Sequence, residues 1–145
     1  MAGNMVSMRM VSEQITCAAQ PDEEWLELAS LSGMRWVINL SLEQDGLGNE
    51  QQVVEALDMR YCHIPVQFDE PKLTDYQAFC SAMQQCADER VLVHCVANKR
   101  ASCFVALWME QQQGWSREQG EHLIDSVWQP SPVWQQFLVE VRAML

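Results

Sequence analysis

The residues with the clearest chemical potential stand together at His94-Cys95-Val96-Ala97-Asn98-Lys99-Arg100-Ala101-Ser102. A thiol comes immediately after the apolar run Arg90-Val91-Leu92-Val93, and a guanidinium follows five positions later. If the run is a strand and Ala101 onward a helix, the intervening loop presents backbone N–H groups at a helix N-terminus, which is an anion nest. Such a setting, with an arginine beside it, favours thiolate over thiol, so Cys95 is expected to ionise readily and to act as a nucleophile. Arg100 has the planar fork that grips two oxygens of a phosphate or similar oxyanion. Asn98 tolerates the left-handed conformation that a tight loop requires. Val96, Ala97 and Lys99 complete the backbone of the cradle, and His94 is placed to orient it.

The remaining chain supplies elements able to hold such a loop. The segment Pro21–Leu31 has Trp25, Leu28 and Ala29 at helical spacing, acids in its first turn, and Gly33 as a stop. Arg35–Leu40 is a short buried strand, Glu50–Leu57 a helix with Val53, Val54 and Leu57 inward, and Met59–Val66 a second strand. Thr74 and Gln77 have capping-box spacing ahead of a helix that buries Phe79, Ala82 and Met83. After the strand ending at His94, helices are expected over Ala101–Glu110, from Ser116 with Gln119, and from Pro132. Strand and helix alternate, which predicts a single α/β domain over residues 1–145, in three layers, with a mostly parallel central sheet flanked by helices. The near-continuous apolar run before Cys95 belongs at the centre of that sheet. Ligands of such sheets bind beyond the carboxyl ends of the strands, where Cys95 would sit.

Composition narrows the partners. Hydrophobic residues make up 48% of the 145, enough for a sizeable core, and nine Lys plus Arg against twenty Asp plus Glu leave a formal charge of −11. So acidic a chain lacks the basic footprint of a nucleic-acid binder and is disfavoured at anionic membrane surfaces. No stretch is long and apolar enough to span a bilayer, and Arg9 and Glu13 interrupt Met1–Thr16 as a leader peptide. The six cysteines (17, 62, 80, 86, 95 and 103) contain no CxxC pair. With no leader they suggest reduced thiols in a cytoplasmic protein. His63, His94 and His122 have no ligand-like spacing, so neither a metal nor another cofactor is expected.

The phrase Val91-Leu92-Val93-His94-Cys95, a short loop and Arg100 resemble the active-site loop of the cysteine-dependent protein tyrosine phosphatase superfamily. Gly33-Met34-Arg35-Trp36-Val37-Ile38-Asn39-Leu40 and Met59-Arg60-Tyr61-Cys62-His63-Ile64-Pro65-Val66 resemble strand signatures of its compact dual-specificity members. Together with Ala18-Ala19-Gln20-Pro21 and the Trp- and Pro-containing C-terminus, the chain is most similar to a bacterial phosphatase-like family of uncertain function. Some of its members are fused to beta-lactamase-like hydrolase domains. The resemblance covers nearly the whole chain and implies a tyrosine-phosphatase-like fold. It also implies hydrolysis of a phosphomonoester through a cysteinyl-phosphate on Cys95, with Arg100 and the loop N–H groups carrying the charge in flight. It places the general acid in Phe68-Asp69-Glu70-Pro71, with Asp69 first and Glu70 second, and gives Ser102, seven positions after Cys95, the task of assisting the departing thiolate. The substrate it implies is a small phosphorylated metabolite or a phosphoprotein.

One spacing departs from the superfamily. Four residues separate Cys95 from Arg100 where the superfamily has five, and four is also the spacing of rhodanese-type sulfurtransferases. Sulfur transfer through Cys95, or oxyanion binding without turnover, therefore stand as alternatives. The simpler readings of individual residues are an inert core Cys95, Arg100 paired with an acid such as Glu110 or Asp125, and Lys99 facing solvent. In the same vein Asp69 is a turn residue, His63 is packed between strand and helix, His122 is exposed, and Trp128 and Trp134 are core. Cys62, on the strand preceding the acid loop, is a candidate resolving thiol for Cys95.

Overall fold

The computed structural model describes residues 7–144, so the beginning of the Met1–Thr16 segment lies outside it. Its centre is a five-stranded sheet: β1 (Arg9–Met10), β2 (Ile15–Ala18), β3 (Trp36–Asn39), β4 (Arg60–His63) and β5 (Val91–His94), in the spatial order β1-β2-β5-β3-β4. Only β1 runs antiparallel. The apolar strand β5 is in the middle, its four residues all buried, as the continuous hydrophobic run predicts. Ala18 and Asn39 are both in register with His94, so β2, β3 and β5 end level with one another.

Six helices cover the two faces: α1 (Glu23–Leu31), α2 (Glu50–Ala56), α3 (Leu73–Cys86), α4 (Lys99–Gln112), α5 (Arg117–Asp125) and α6 (Pro132–Arg142). Side-chain alternation along β5 sorts the packing. Val91, Val93 and Cys95 join one core with α3, α4, α5 and α6, whereas Leu92 joins the other with α1 and α2. Helices α1 and α2 thus cover one face and α3, α4, α5 and α6 the other, and the carboxyl end of β5 opens between the two layers. This is the three-layer α/β architecture expected from the sequence.

Local signals explain most boundaries. Asp22 caps α1 by accepting from the Trp25 N–H at 2.7 Å, and Gly33 follows at φ +107°. Ser116 and Gln119 form the expected capping box, and Pro132 is in the first turn of α6. The box expected at Thr74 and Gln77 is not used. Helix α3 begins earlier, at Leu73, and the Asp75 carboxylate accepts from the Lys72 N–H at 3.0 Å. The adjacent pair β1–β2 has no counterpart in the sequence reading; its four-residue inner strand is too short to show a periodicity.

Helix α4 is buried from Arg100 to Met109, surrounded by the sheet, α3, α5 and α6. Phe104 is its anchor, with ring centroids of Tyr76, Phe79, Trp134 and Phe137 at 5.4–6.0 Å. At its far end, Arg142 of α6 makes paired bonds of 2.9 and 2.8 Å to the Glu110 carboxylate. Gly120 of α5 packs on the same carboxylate, where a Cβ would fall 1.8 Å from Glu110 Oε2. A mid-helix glycine, ordinarily unfavourable, is explained by that approach. Replacing Arg142 by Gln leaves Glu110 nearly buried without its cation and should cost about 3 kcal/mol. Urea denaturation is expected to show that loss. The cost in a Glu110→Gln background should be clearly smaller, and equal costs in the two backgrounds would mean the pair is not coupled.

Candidate active site

The loop begins where β5 stops. The Cys95 N–H still donates to the Ala18 carbonyl at 3.3 Å, and Gln20 N–H donates to the Val96 carbonyl at 3.1 Å, so β2 carries the first half of the loop. Asn98 then turns the chain into α4 with φ +65° and ψ 3°, the left-handed conformation anticipated for it. Its side-chain N–H₂ donates to the Ser7 carbonyl, locking the turn to the N-terminal segment. The N–H groups of Lys99, Arg100 and Ala101 open α4 and have no intrahelical acceptor, because the first such bond runs from Ser102 N–H to the Asn98 carbonyl.

Burial divides the loop into a floor and a rim. Cys95, Asn98, Arg100 and Ser102 are buried, and Val96, Ala97 and Lys99 are exposed. Arg100 Nη1 donates to the Val66 carbonyl at 2.8 Å, and its guanidinium carbon lies 5.8 Å from the Phe68 ring centroid. Its Nε is buried with no hydrogen-bond partner among the described residues. No acid takes Arg100, since Glu110 belongs to Arg142. A charge-bearing donor left unpaired in the interior is costly unless something complements it, and an oxyanion on the uncommitted edge of the fork does so. The Ser102 hydroxyl donates to the Lys99 carbonyl at 3.1 Å, so assisting Cys95 requires its rotation.

Facing the loop is the segment that follows β4. Phe68 is partly exposed and packs against Trp128 at 5.6 Å, while Trp134 Nε1 donates to the Phe68 carbonyl at 2.6 Å. Lys99, expected simply to face solvent, lies with its Nζ 5.8 Å from the Phe68 centroid and 5.5 Å from that of Trp128. Two cations and two aromatic rings therefore border the cradle; the sequence reading placed the cations but assigned no role to Phe68. Asp69 and Glu70 are exposed and line an open groove of about 430 Å³ with Pro132, Val133 and Phe137 of α6.

The other side of β5 carries a polar network. His94 is fully buried; its Nε2 lies 2.5 Å from Glu50 Oε2, and its Nδ1 lies 3.4 Å from the Cys95 carbonyl. Glu50, in the first turn of α2, is itself buried, and its Oε1 accepts from the Gln20 side chain at 2.7 Å. Gly46, at φ +78°, leaves room for Gln20, because a Cβ there would fall 2.1 Å from Gln20 Oε1. Sequence reasoning missed Glu50, since an acid in a first helical turn is explained by the helix dipole alone. His63 is half-buried and bonded through Nε2 to the Ser41 carbonyl at 2.7 Å.

All six cysteines are free. Burial pushes the thiols of Cys17, Cys86 and Cys103 up to about 12 and raises those of Cys62 and Cys80. Cys62 is not placed to resolve Cys95. Strand β3 lies between them, with Ile38 in register with both Cys62 and Val93. Two strand spacings are about 10 Å, beyond the roughly 7 Å a disulfide allows between Cα atoms. Among the described residues no cluster of His, Cys, Asp and Glu is arranged to hold a metal ion, and no helix is long and apolar enough to cross a membrane.

Among solved structures the chain is similar to a DUF442 candidate phosphatase of Shewanella putrefaciens CN-32, at 33% identity and TM-score 0.87, covering 97% of this chain and 94% of that one. It is similar in fold to Tk-PTP in its active form, at 15% identity and TM-score 0.84, over 96% and 98% of the two chains. It is also similar in fold to TpbA of P. aeruginosa in complex with pTyr, at 13% identity and TM-score 0.76, over 96% and 90%. No family model and no curated protein matches it.

An uncommitted edge on a buried guanidinium predicts anion-dependent stability. Sulfate or tungstate at a hundred times its Kd should stabilise the folded chain by about 2.7 kcal/mol, read as a rise in Tm. Arg100→Met should abolish that rise, and an unchanged response would place the anion elsewhere.

Proposed function

The chain belongs to the DUF442 family, and on that basis we propose that it is a cysteine-dependent phosphatase acting on phosphomonoesters. The observation that carries the reading is Arg100, buried beside the cysteine loop with Nε unpaired and one nitrogen tied to the Val66 carbonyl. A structural arginine would have its donors satisfied; one that holds a substrate oxyanion leaves an edge free.

In this reading Cys95 attacks phosphorus, the P–O bond to the leaving group breaks, and a cysteinyl-phosphate forms, which water then hydrolyses to phosphate and free thiolate. The fork of Arg100 and the N–H groups of Val96, Ala97, Asn98 and Lys99 stabilise the equatorial oxygens throughout. Asp69 protonates the leaving oxygen, with Glu70 beside it as the second candidate. Their exposed loop is tied to the site because Phe68 packs toward Arg100. Ser102 rotates from the Lys99 carbonyl to assist the departing thiolate in the second step. The free thiols fit a reducing, cytoplasmic setting.

The charge of −11 and the cationic, aromatic rim select a substrate of low charge with an apolar or aromatic body. A small phosphorylated metabolite and a phosphoprotein side chain both meet that description, and the pTyr held by TpbA is an example of the second kind.

Hydrolysis of an aryl phosphate under reducing conditions tests the reading. Wild type should turn over and Cys95→Ser should not. Asp69→Asn should lower kcat about 100-fold for a poor leaving group, and much less for an activated one that needs no proton. If Glu70→Gln shows that signature instead, the acid is Glu70. Thiocyanate from thiosulfate and cyanide, without phosphate release, would overturn the reading in favour of sulfur transfer.

A further inference from the structure

The network behind the loop is more elaborate than a buried histidine needs. Both partners of the His94 ring are acceptors: the Cys95 carbonyl at Nδ1 and the Glu50 carboxylate at Nε2. Glu50 is also the point on which donors converge. The Gln20 amide reaches Oε1, His94 reaches Oε2, and the Tyr61 hydroxyl lies against the same carboxylate while accepting from Asn39 Nδ2 at 2.9 Å. Burial first, and the Glu50 charge with it, push the Tyr61 phenol up to about 12, so Tyr61 keeps its proton. Glu50 thus has Gln20 and His94 within hydrogen-bond distance of its two oxygens, and both ring nitrogens of His94 face oxygen acceptors.

We propose that Glu50 is a positioning residue of the site: its carboxylate keeps a proton on each nitrogen of His94 and so fixes a positive charge, and the Cys95 carbonyl, directly beneath the nucleophile. The proposal rests on the reading of Cys95 as nucleophile and extends it to the far face of the sheet. Glu50 and His94 act through the backbone, because side chains of successive strand residues point to opposite faces and Cys95 packs with the α4 side. Glu50 also borders an open polar cavity of about 350 Å³ lined by Asn39, Glu43, Asp45, Tyr61 and His63, while His94 is fully buried behind it.

The charges that bear on Cys95 are few. Arg100 stands in the first turn of α4, directly after the loop. Cys17 of β2 and Cys103 of α4 lie close enough to be influenced by a charge on Cys95, and both are neutral thiols until about 12. His63 is turned to the Ser41 carbonyl. The ionisable groups packed against the far side of the Cys95 peptide are therefore the Glu50–His94 pair.

The experiment reads Cys95 ionisation directly, as the pH dependence of ultraviolet thiolate absorbance in the full chain minus that of the same protein carrying Cys95→Ser. Glu50→Gln preserves shape and a hydrogen bond but removes the charge that holds the second proton on His94. Without the positive ring the thiolate is less favoured, so the midpoint should rise by about one pH unit, a tenfold loss of thiolate at any pH below both midpoints. Glu50→Asp, which keeps the charge, should restore most of it. An unchanged midpoint in folded Glu50→Gln overturns the proposal. If that variant does not fold, His94→Gln is read by the same criterion. The measurement needs no turnover: a wild type without phosphatase activity defeats the functional reading and leaves this result standing.

Discussion

A guanidinium buried at the end of a central strand, without a carboxylate beside it, is the constraint around which the rest of this structure is arranged. Arg100 is only 5% exposed, yet its hydrogen bond within the protein is to a neutral carbonyl. Isolated charges are strongly disfavoured in such places unless the surrounding dipoles compensate them. Here the position is imposed from behind. Helix α4 is apolar on every side and gripped by Phe79, Trp134 and Phe137 through Phe104, so its first turn cannot swing the arginine into solvent. The Val66 carbonyl and the face of Phe68 take up part of the charge and leave Nε uncommitted. An acid at the same place would satisfy the arginine and occupy the cradle. The chain has twenty acids and sends none of them there among the described residues.

The same strand end separates two kinds of chemistry by the pleat. Cys95 and Arg100 belong to the α4 side, where the floor is aromatic and aliphatic, and His94 belongs to the α2 side, where Glu50, Gln20, Asn39 and Tyr61 form a continuous polar layer. A thiol, an imidazole and a carboxyl group placed on one face would compete for the same partners. Distributed on two faces they meet through one peptide group, the Cys95 carbonyl. Gly46 and Gln20 show how far this layer extends: a tight positive-φ turn makes room for an amide whose role is to hold a carboxylate that holds a histidine.

The parts of this arrangement that were legible in the sequence are those set by a short stretch of chain. The run Val91–His94, the thiol after it, Asn98 at the left-handed turn and Arg100 in the first helical turn all lie within ten residues, and local rules suffice for them. What was not legible depends on residues brought from far away. Glu50 is 44 positions from His94 and looks like an ordinary first-turn acid until α2 packs on β5. Thr74 and Gln77 have correct spacing for a cap, but the chain leaving Pro71 enters the helix two residues earlier, and Asp75 takes the role. Cys62 could resolve Cys95 only if their strands were adjacent, and the crossover puts β3 between them. Lys99 is exposed, as its sequence position suggests, but the rings its Nζ lies over come from residues 68 and 128, which no local rule brings to it.

Net charge connects these observations to selectivity. With eleven more acids than bases, the field at long range repels anions, and at physiological ionic strength it is screened beyond about 8 Å. An anion therefore meets repulsion mainly on approach and attraction only inside the loop, where two cations, a helix N-terminus and unpaired N–H groups act at contact distance. On the proposed function, a monoester carrying a single phosphate faces a modest barrier and gains the full set of contacts. A polyanion carries its other charges outside the cradle, over a surface that opposes them, and gains nothing from the loop to offset that. On that reading, the acidity of the chain and the basicity of its loop act as one discriminating device: the first rejects by total charge, and the second retains by local geometry.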